Sequence, residues 1–171
     1  MKTLTNTTVL SNFAAAGRLD LLRRLFGRIY ISNEVYEEVL DGLEEGYDFY
    51  TAIDQQTYPF AKEGWIELVS MAGEEELRFF RSLPRHLDKG EASCLAIARH
   101  REWAFLSDDK LARKSAHAWK IVLSGTLGVL VQAVKRGLLT AEAGDQLLQE
   151  MIARGYRSPF NTLQSLLSDA P

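Results

Sequence analysis

A buried strand that ends in two consecutive carboxylates constrains this chain most. Residues 103–106 (WAFL) form a short apolar run, which is typical of a strand buried on both faces of a sheet. Ser107 follows as a candidate N-cap, with Asp108 and Asp109 in the first turn of the next predicted helix. Functional sites of open α/β sheets lie at the carboxyl ends of their strands. The stretch therefore predicts an α/β fold with acidic groups at one edge of the sheet.

A third carboxylate, Glu91, lies near the start of the helix that precedes this strand. If that helix runs antiparallel to the strand, its N-terminus returns to the edge that carries Asp108 and Asp109. Acids that converge in this way repel one another unless a divalent cation joins them. Helix capping explains the same residues, because Asp88 and Glu91 fit a capping box and Ser107 starts a helix well. This stretch alone leaves capping and metal binding open.

Strand-like and helix-like segments alternate along the whole chain, and no internal repeat is visible. The segments that predict strands are 2–5, 28–31, 65–69, 103–106 and 120–123. This alternation predicts a three-layer α/β/α fold with a central, mostly parallel sheet and extra C-terminal helices. With 171 residues, we expect a single domain, 1–171. It includes a variable aromatic-rich segment at about 46–64 and a helical C-terminal extension at about 140–171.

Composition excludes several classes of function. A net charge of −3 argues against a protein that covers duplex DNA. The single cysteine, Cys94, excludes an internal disulfide and thiolate zinc clusters, and we expect it in the core. The three histidines lack the spacing of metal ligands. No apolar run reaches the roughly 18 residues that span a bilayer, so we expect a cytoplasmic protein with no membrane partner.

The aromatic-rich segment at 46–64 is the least patterned part of the chain, and we expect a short helix and a loop there. Its aromatic residues are Tyr47, Phe49, Tyr50, Tyr58 and Phe60. They either cover the domain's own core, stack on unpaired bases or contact a partner chain.

Several pieces of the sequence, taken in order, resemble the PIN domain, the fold of metal-dependent ribonucleases that includes the VapC-type toxins. These pieces are NTTVL at 6–10, VYEE at 35–38, GEA at 90–92, DDKLAR at 108–113 and GTLG at 125–128. They cover nearly the whole chain and are most similar to the prokaryotic branch of predicted nucleic-acid-binding PIN proteins. The last piece lacks a dinucleotide fingerprint, so we interpret it as a tight strand-to-helix turn.

This resemblance implies a site that holds one or two Mg²⁺ or Mn²⁺ ions. Carried over by position, its acids are Glu38, Glu91 and Asp109, with Asp108 beside them. Hard cations take carboxylate oxygens and keep several waters, and they activate water for attack on a phosphate. Taken alone, Glu38 fits an ordinary solvent-facing helix position. The resemblance implies hydrolysis of single-stranded RNA, a toxin with an antitoxin on a separate chain, and a homodimer.

Asn6 departs from the family pattern, in which the first strand ends in Asp. Its neutral carbonyl can orient water or ligate weakly, but it removes one negative charge and should weaken cation binding. An alternative is therefore a PIN-fold protein that binds nucleic acid or a partner protein without cleaving. A third reading is an unrelated α/β domain whose acids only cap helices.

Four further residues are candidates for supporting roles. Thr7 and Ser107 have hydroxyls that could bond a carboxylate or a bound water. Arg113 and Lys114 either meet the phosphate backbone as contacts that do not read sequence, or are solvent-exposed helix charges.

Overall fold

The computed structural model describes residues 1–168, so the last three residues of the predicted C-terminal extension lie outside it. The described chain contains one six-stranded sheet in which all pairs are parallel, flanked by helices. The strands are β1 (Thr3–Thr5), β2 (Ile29–Ser32), β3 (Thr57–Tyr58), β4 (Ile66–Val69), β5 (Ala104–Leu106) and β6 (Leu123–Ser124). The prediction of an α/β/α fold is confirmed.

Helices fill the connections between the strands and form the C-terminal third. The first five are α1 (Thr7–Ala15), α2 (Leu19–Phe26), α3 (Asn33–Glu44), α4 (Tyr50–Asp54) and α5 (Gly73–Ser82). The remaining helices in residues 1–168 are α6 (Lys89–Arg101), α7 (Lys110–Ala118), α8 (Thr126–Lys135), α9 (Ala141–Ala153) and α10 (Gln164–Ser168). No helix in the described part of the chain is long and apolar enough to cross a membrane.

The strand order β3-β4-β2-β1-β5-β6 places β1 in the interior of the sheet. Leu4 of β1 pairs with Tyr30 of β2 on one side and with Phe105 of β5 on the other. After β1, the chain adds β2, β3 and β4 on one side of β1. It then adds β5 and β6 on the other side. In open α/β sheets such a reversal of direction opens a crevice at the carboxyl ends of the strands. Residues that directly follow β1 and β5 lie beside this crevice.

Helix α6 is the most deeply buried helix that contributes to the crevice. Its residues from Gly90 to Ala98 are all buried, and small side chains such as Ala92 and Ala96 allow its neighbours to pack closely. Cys94 is fully buried, which confirms its predicted place in the core. Because α6 runs back along the sheet, its N-terminus lies near the carboxyl ends of β1 and β5.

Two predicted boundaries were wrong near the acidic stretch. Ser107 was predicted as the N-cap of α7, but Asp109 is the N-cap and Lys110 begins the helix. The Ser107 hydroxyl instead accepts the backbone N–H of Asp109 at 3.1 Å, which holds a turn ahead of the helix. The strand predicted at 120–123 begins only at Leu123, because Lys120 adopts a left-handed conformation (φ 55°).

The aromatic-rich segment contains the predicted short helix and also a strand, β3, that the prediction missed. A two-residue edge strand is too short to leave a periodic signal. Phe49 and Tyr50 pack against the core, whereas Tyr47, Tyr58 and Phe60 are 52%, 47% and 62% exposed. The core-covering interpretation therefore holds for only part of this segment.

The C-terminal extension contains α9 and α10, and Thr140 caps α9 through the Ala143 N–H. Helix α10 is short and is preceded by an irregular segment. The chain before α10 is held by a hydrogen bond from the Leu163 N–H to Asp145 Oδ1 at 2.6 Å.

Candidate functional site

Asn6 lies at the centre of the crevice, directly after β1, and is only 2% exposed. Its Oδ1 accepts the Val9 N–H at 3.1 Å and so caps α1. Its Nδ2 donates to Glu91 Oε1 at 3.3 Å and to Ser107 Oγ at 3.1 Å. Because the Val9 N–H requires an acceptor, the amide NH₂ must face Glu91. Asn6 therefore joins α1, α6 and the end of β5, and it presents donors rather than a free oxygen to the acids.

Glu91 is a buried carboxylate, 8% exposed, surrounded by like charges. Burial, followed by the charges of Asp109 and Asp88, raises its pKa to about 7. The bond from Asn6 opposes this shift, and the charge of Glu38 adds to it. None of the ion pairs formed within residues 1–168 involves Glu91. Within the described part of the chain, the Glu91 carboxylate has no counter-ion.

Glu38 reaches the same place from α3. Its Oε2 accepts the Thr7 hydroxyl, and its Oε1 accepts the Gly90 N–H at 3.2 Å. A Cβ at Gly90 would lie 2.5 Å from Glu38 Oε1, so only glycine leaves room for this approach. Burial raises the pKa of Glu38 although both hydrogen bonds act to lower it. Thr7 and Gly90 thus fix the position of the Glu38 carboxylate.

The charge of Asp109 acts on Glu91, and the Asp109 side chain also caps α7. Its Oδ1 accepts the Leu111 and Ala112 N–H groups, both at 2.8 Å. The capping interpretation is therefore correct for Asp109, but capping does not remove its effect on Glu91.

Asp88 is an acid of this cluster that the sequence interpretation treated as a helix cap. It occupies the N-cap position of α6, yet its side chain forms no capping hydrogen bond. Glu91 bonds to Asn6 instead of closing a capping box, and the charge of Asp88 acts on both Glu91 and Glu38. Its position three residues before Glu91, on the same helix end, was the available signal.

Asp108 forms a different set of contacts from its neighbour. Its Oδ1 accepts the Thr126 N–H at 2.9 Å, and its Oδ2 accepts the Thr126 hydroxyl at 2.5 Å and the Asn12 Nδ2 at 3.4 Å. A Cβ at Gly125 would lie 2.4 Å from Asp108 Oδ1, so this glycine permits the tight strand-to-helix turn. The structure thus ties Asp108 to the start of α8, whereas the charges of Glu38 and Asp109 both act on Glu91.

These contacts predict a stability role for Asp108. We expect Asp108→Ala to lower the free energy of unfolding by about 2 kcal/mol, because both the Thr126 N–H and the buried Thr126 hydroxyl lose their acceptor. Urea unfolding of Asp108→Ala and of Asp41→Ala, an exposed aspartate, measures the difference. The control should change by less than about 0.5 kcal/mol. Equal stability of the two variants would contradict the assigned role.

Arg113 and Lys114 lie on different surfaces. Arg113 Nη1 donates to the Ser107 carbonyl at 3.1 Å and lines a cavity that includes Asp108. Lys114 lines a separate groove beside Leu111 and Trp119. The structure therefore places only Arg113 next to the acidic stretch.

The donor chemistry of the cluster fits a hard divalent cation. Glu38, Glu91 and Asp109 offer carboxylate oxygens, and burial together with the charges of Asp109 and Asp88 raises the pKa of Glu91. No group of three or more acidic, histidine or cysteine side chains in residues 1–168 is arranged to hold a metal ion by itself. In this structure the carboxylates accept hydrogen bonds from Thr7, Asn6 and the amides of α7. A cation that keeps part of its water shell suits this arrangement.

A family model described as a PIN domain matches residues 2–171, which confirms the resemblance seen in the sequence. No curated protein matches the sequence.

Proposed function

This chain belongs to the PIN-domain family, and we propose that it is a divalent-cation-dependent ribonuclease that hydrolyses phosphodiester bonds of single-stranded RNA. PIN domains are a nuclease-type fold and generally use divalent metals. One observation carries the proposal: Glu91 is buried among Glu38, Asp88 and Asp109 with no compensating protein cation in the described chain. A purely structural role does not explain why an unpaired carboxylate should be buried in this position, because such burial costs stability.

In this proposal Glu38, Glu91 and Asp109 hold Mg²⁺ or Mn²⁺. The bound cation would supply an activated water and neutralise charge on the phosphate. The protein's contribution is positional: Thr7 and the Gly90 N–H fix Glu38, and the α7 amides fix Asp109. Loss of the Glu91 proton is linked to cation binding, because a nearby positive charge favours the ionised carboxylate.

A second candidate is a PIN protein that binds RNA, or a partner protein, without cleaving. Asn6 favours it, because its carbonyl oxygen is used to cap α1 and the residue adds no negative charge. The resemblance also supports narrower proposals: a toxin neutralised by an antitoxin on a separate chain, and a homodimer.

Cleavage of a defined RNA tests the first candidate. We expect the purified protein to cut an unstructured RNA with Mn²⁺ or Mg²⁺ but not with EDTA, and to cut a stable hairpin poorly. The control is a triple variant, with Glu38, Glu91 and Asp109 replaced by Ala, purified in the same way.

Two outcomes would contradict the proposal. Equal cleavage by the triple variant would indicate a contaminating nuclease. Retention of RNA by the wild type without cleavage would favour the second candidate. Calorimetric titration with Mn²⁺ tests the remaining alternative, a domain whose acids only cap helices. A cation site gives binding heat in the wild type that the triple variant lacks, whereas acids that only cap helices give no such difference.

A further inference from the structure

A cavity lies beside the acidic cluster, with Asp108 but none of Glu38, Glu91 and Asp109 in its wall. It has a volume of about 950 Å³ and is bounded by α7, the turn before α8 and the segment 156–160. Its wall includes the polar and aromatic side chains of Asp108, Lys110, Arg113, Tyr156, Arg157 and Phe160. The cavity is not lined by Glu38, Glu91 or Asp109, so the proposed cation site does not account for it.

Three cations line this cavity, namely Lys110 and Arg113 of α7 and Arg157 of the segment 156–160. The hydrogen bond of Arg113 to the Ser107 carbonyl holds its guanidinium at the carboxyl end of β5, two residues before Asp109. Lys110 and Arg157 are exposed, and none of the ion pairs within residues 1–168 involves any of the three. In a chain with a net charge of −3, this local excess of positive charge favours an anionic ligand.

The remaining wall is apolar and aromatic. Leu127 and Val131 of α8 form one side, and Phe160, 40% exposed, offers an accessible ring. Tyr156 is nearly buried. The first amide of α8 does not serve the cavity, since the Thr126 N–H is bonded to Asp108. A ligand here meets cations and an aromatic surface, and not a helix N-terminus.

We propose that this cavity is a subsite for one nucleotide of a single-stranded RNA, adjacent to the phosphodiester bond that is cut. Its phosphate would lie against Arg113 and Arg157, and its base would stack on Phe160. Arginine and aromatic rings together are the usual means of holding unpaired nucleic acid. The position of the subsite next to the cleaved bond rests on the proposed function, but the binding itself requires neither a cation nor cleavage.

Binding of a labelled RNA octamer without self-complementarity, followed by fluorescence anisotropy in EDTA, tests this subsite. We expect Phe160→Ala to weaken binding about tenfold through lost stacking, whereas Phe160→Tyr, which keeps the ring, should bind as the wild type does. Arg157→Ala should weaken binding several-fold and lower the slope of log Kd against log salt by about 0.7, the value for one lost phosphate contact.

Two matched variants serve as controls. Arg154→Ala removes an arginine from the same end of the chain that pairs with Glu150 and does not line the cavity. Phe60→Ala removes an exposed phenylalanine of the aromatic-rich segment, the rival surface for base stacking. Both should bind RNA within about twofold of the wild type, since surface changes remote from a contact have small effects.

The outcomes separate this inference from the proposed function. If Arg157→Ala and Phe160→Ala bind as tightly as the two controls, or if Phe60→Ala alone weakens binding, the subsite is wrong even if the protein cleaves RNA. If the wild type binds no octamer, the subsite is also wrong. If the expected contrast is found but no cation supports cleavage, the subsite stands and the nuclease proposal fails.

Discussion

Replacing Glu91 by glutamine is expected to reduce cation-dependent RNA cleavage about 100-fold or more. Glutamine keeps the shape of the side chain and can still accept the Asn6 Nδ2 hydrogen bond, but it removes the buried charge. Loss of residues that merely support metal ligands costs roughly 10- to 100-fold, so loss of a ligating carboxylate should cost at least as much. The measurement is the single-turnover rate on an unstructured RNA in Mn²⁺.

The same variant should gain stability at alkaline pH when no cation is present. The pKa of Glu91 rises from its ordinary value of 4.5 to about 7 in the folded protein, so the folded state binds the proton more tightly than the unfolded state. The free energy of unfolding therefore falls as pH rises from 4.5 to about 7, by up to about 3 kcal/mol. Glu91→Gln lacks this loss and should be more stable than the wild type at pH 8.

Urea unfolding at pH 5 and pH 8 in EDTA measures this effect, with Glu37→Gln as the control. Glu37 is an exposed glutamate of α3, next to Glu38, and its replacement should change neither stability nor cleavage appreciably. If Glu91→Gln were less stable than the wild type at pH 8, its loss of activity could be assigned to unfolding and the argument would fail.

Sequence reasoning could predict the edge at which the acids meet, because parallel strands place their carboxyl ends together. The apolar run at 103–106 and the acids that follow it are local signals, and they located β5 and Asp109. The return of α6 to the same edge also followed from simple geometry, and the bond between Asn6 and Glu91 is its structural consequence.

The sequence could not predict which hydrogen-bond partners each carboxylate has in the folded protein. Asp108 and Asp109 are adjacent and chemically identical, yet one bonds to Thr126 and the other caps α7. That choice depends on the position of α8, which lies 18 residues away in the chain. The spacing of Asp88 and Glu91 is visible in the sequence, but it fits a capping box equally well, and only the bond of Glu91 to Asn6 shows that no such box forms.

Asn6→Asp should have opposite effects on stability in the absence and presence of a divalent cation. Aspartate can still cap α1 through the Val9 N–H, so the helix start is retained. It removes, however, the donor that Asn6 offers to Glu91 and Ser107, and it adds a charge at a site that is 2% exposed. In EDTA at pH 8 we expect a loss of about 3 kcal/mol in the free energy of unfolding.

With Mn²⁺ the added carboxylate becomes a ligand, because cation affinity rises with the number of charged ligands. We expect Mn²⁺ to bind Asn6→Asp about tenfold more tightly than the wild type and to restore its stability, since a ligand at 100 times its Kd adds about 2.7 kcal/mol. Cleavage of unstructured RNA should rise in parallel. Calorimetric titration and urea unfolding with and without Mn²⁺ give the two quantities.

Asn12→Asp is the matched control for this prediction. Asn12 also donates to a carboxylate, Asp108, so its replacement by Asp should destabilise the protein in EDTA by like-charge repulsion as well. Because Asp108 is engaged by Thr126 and lies outside the cluster formed by Glu38, Glu91 and Asp109, Mn²⁺ should not restore this variant's stability. Equal rescue of both variants, or rescue of neither, would mean that the charge surrounding Glu91 does not form a cation site.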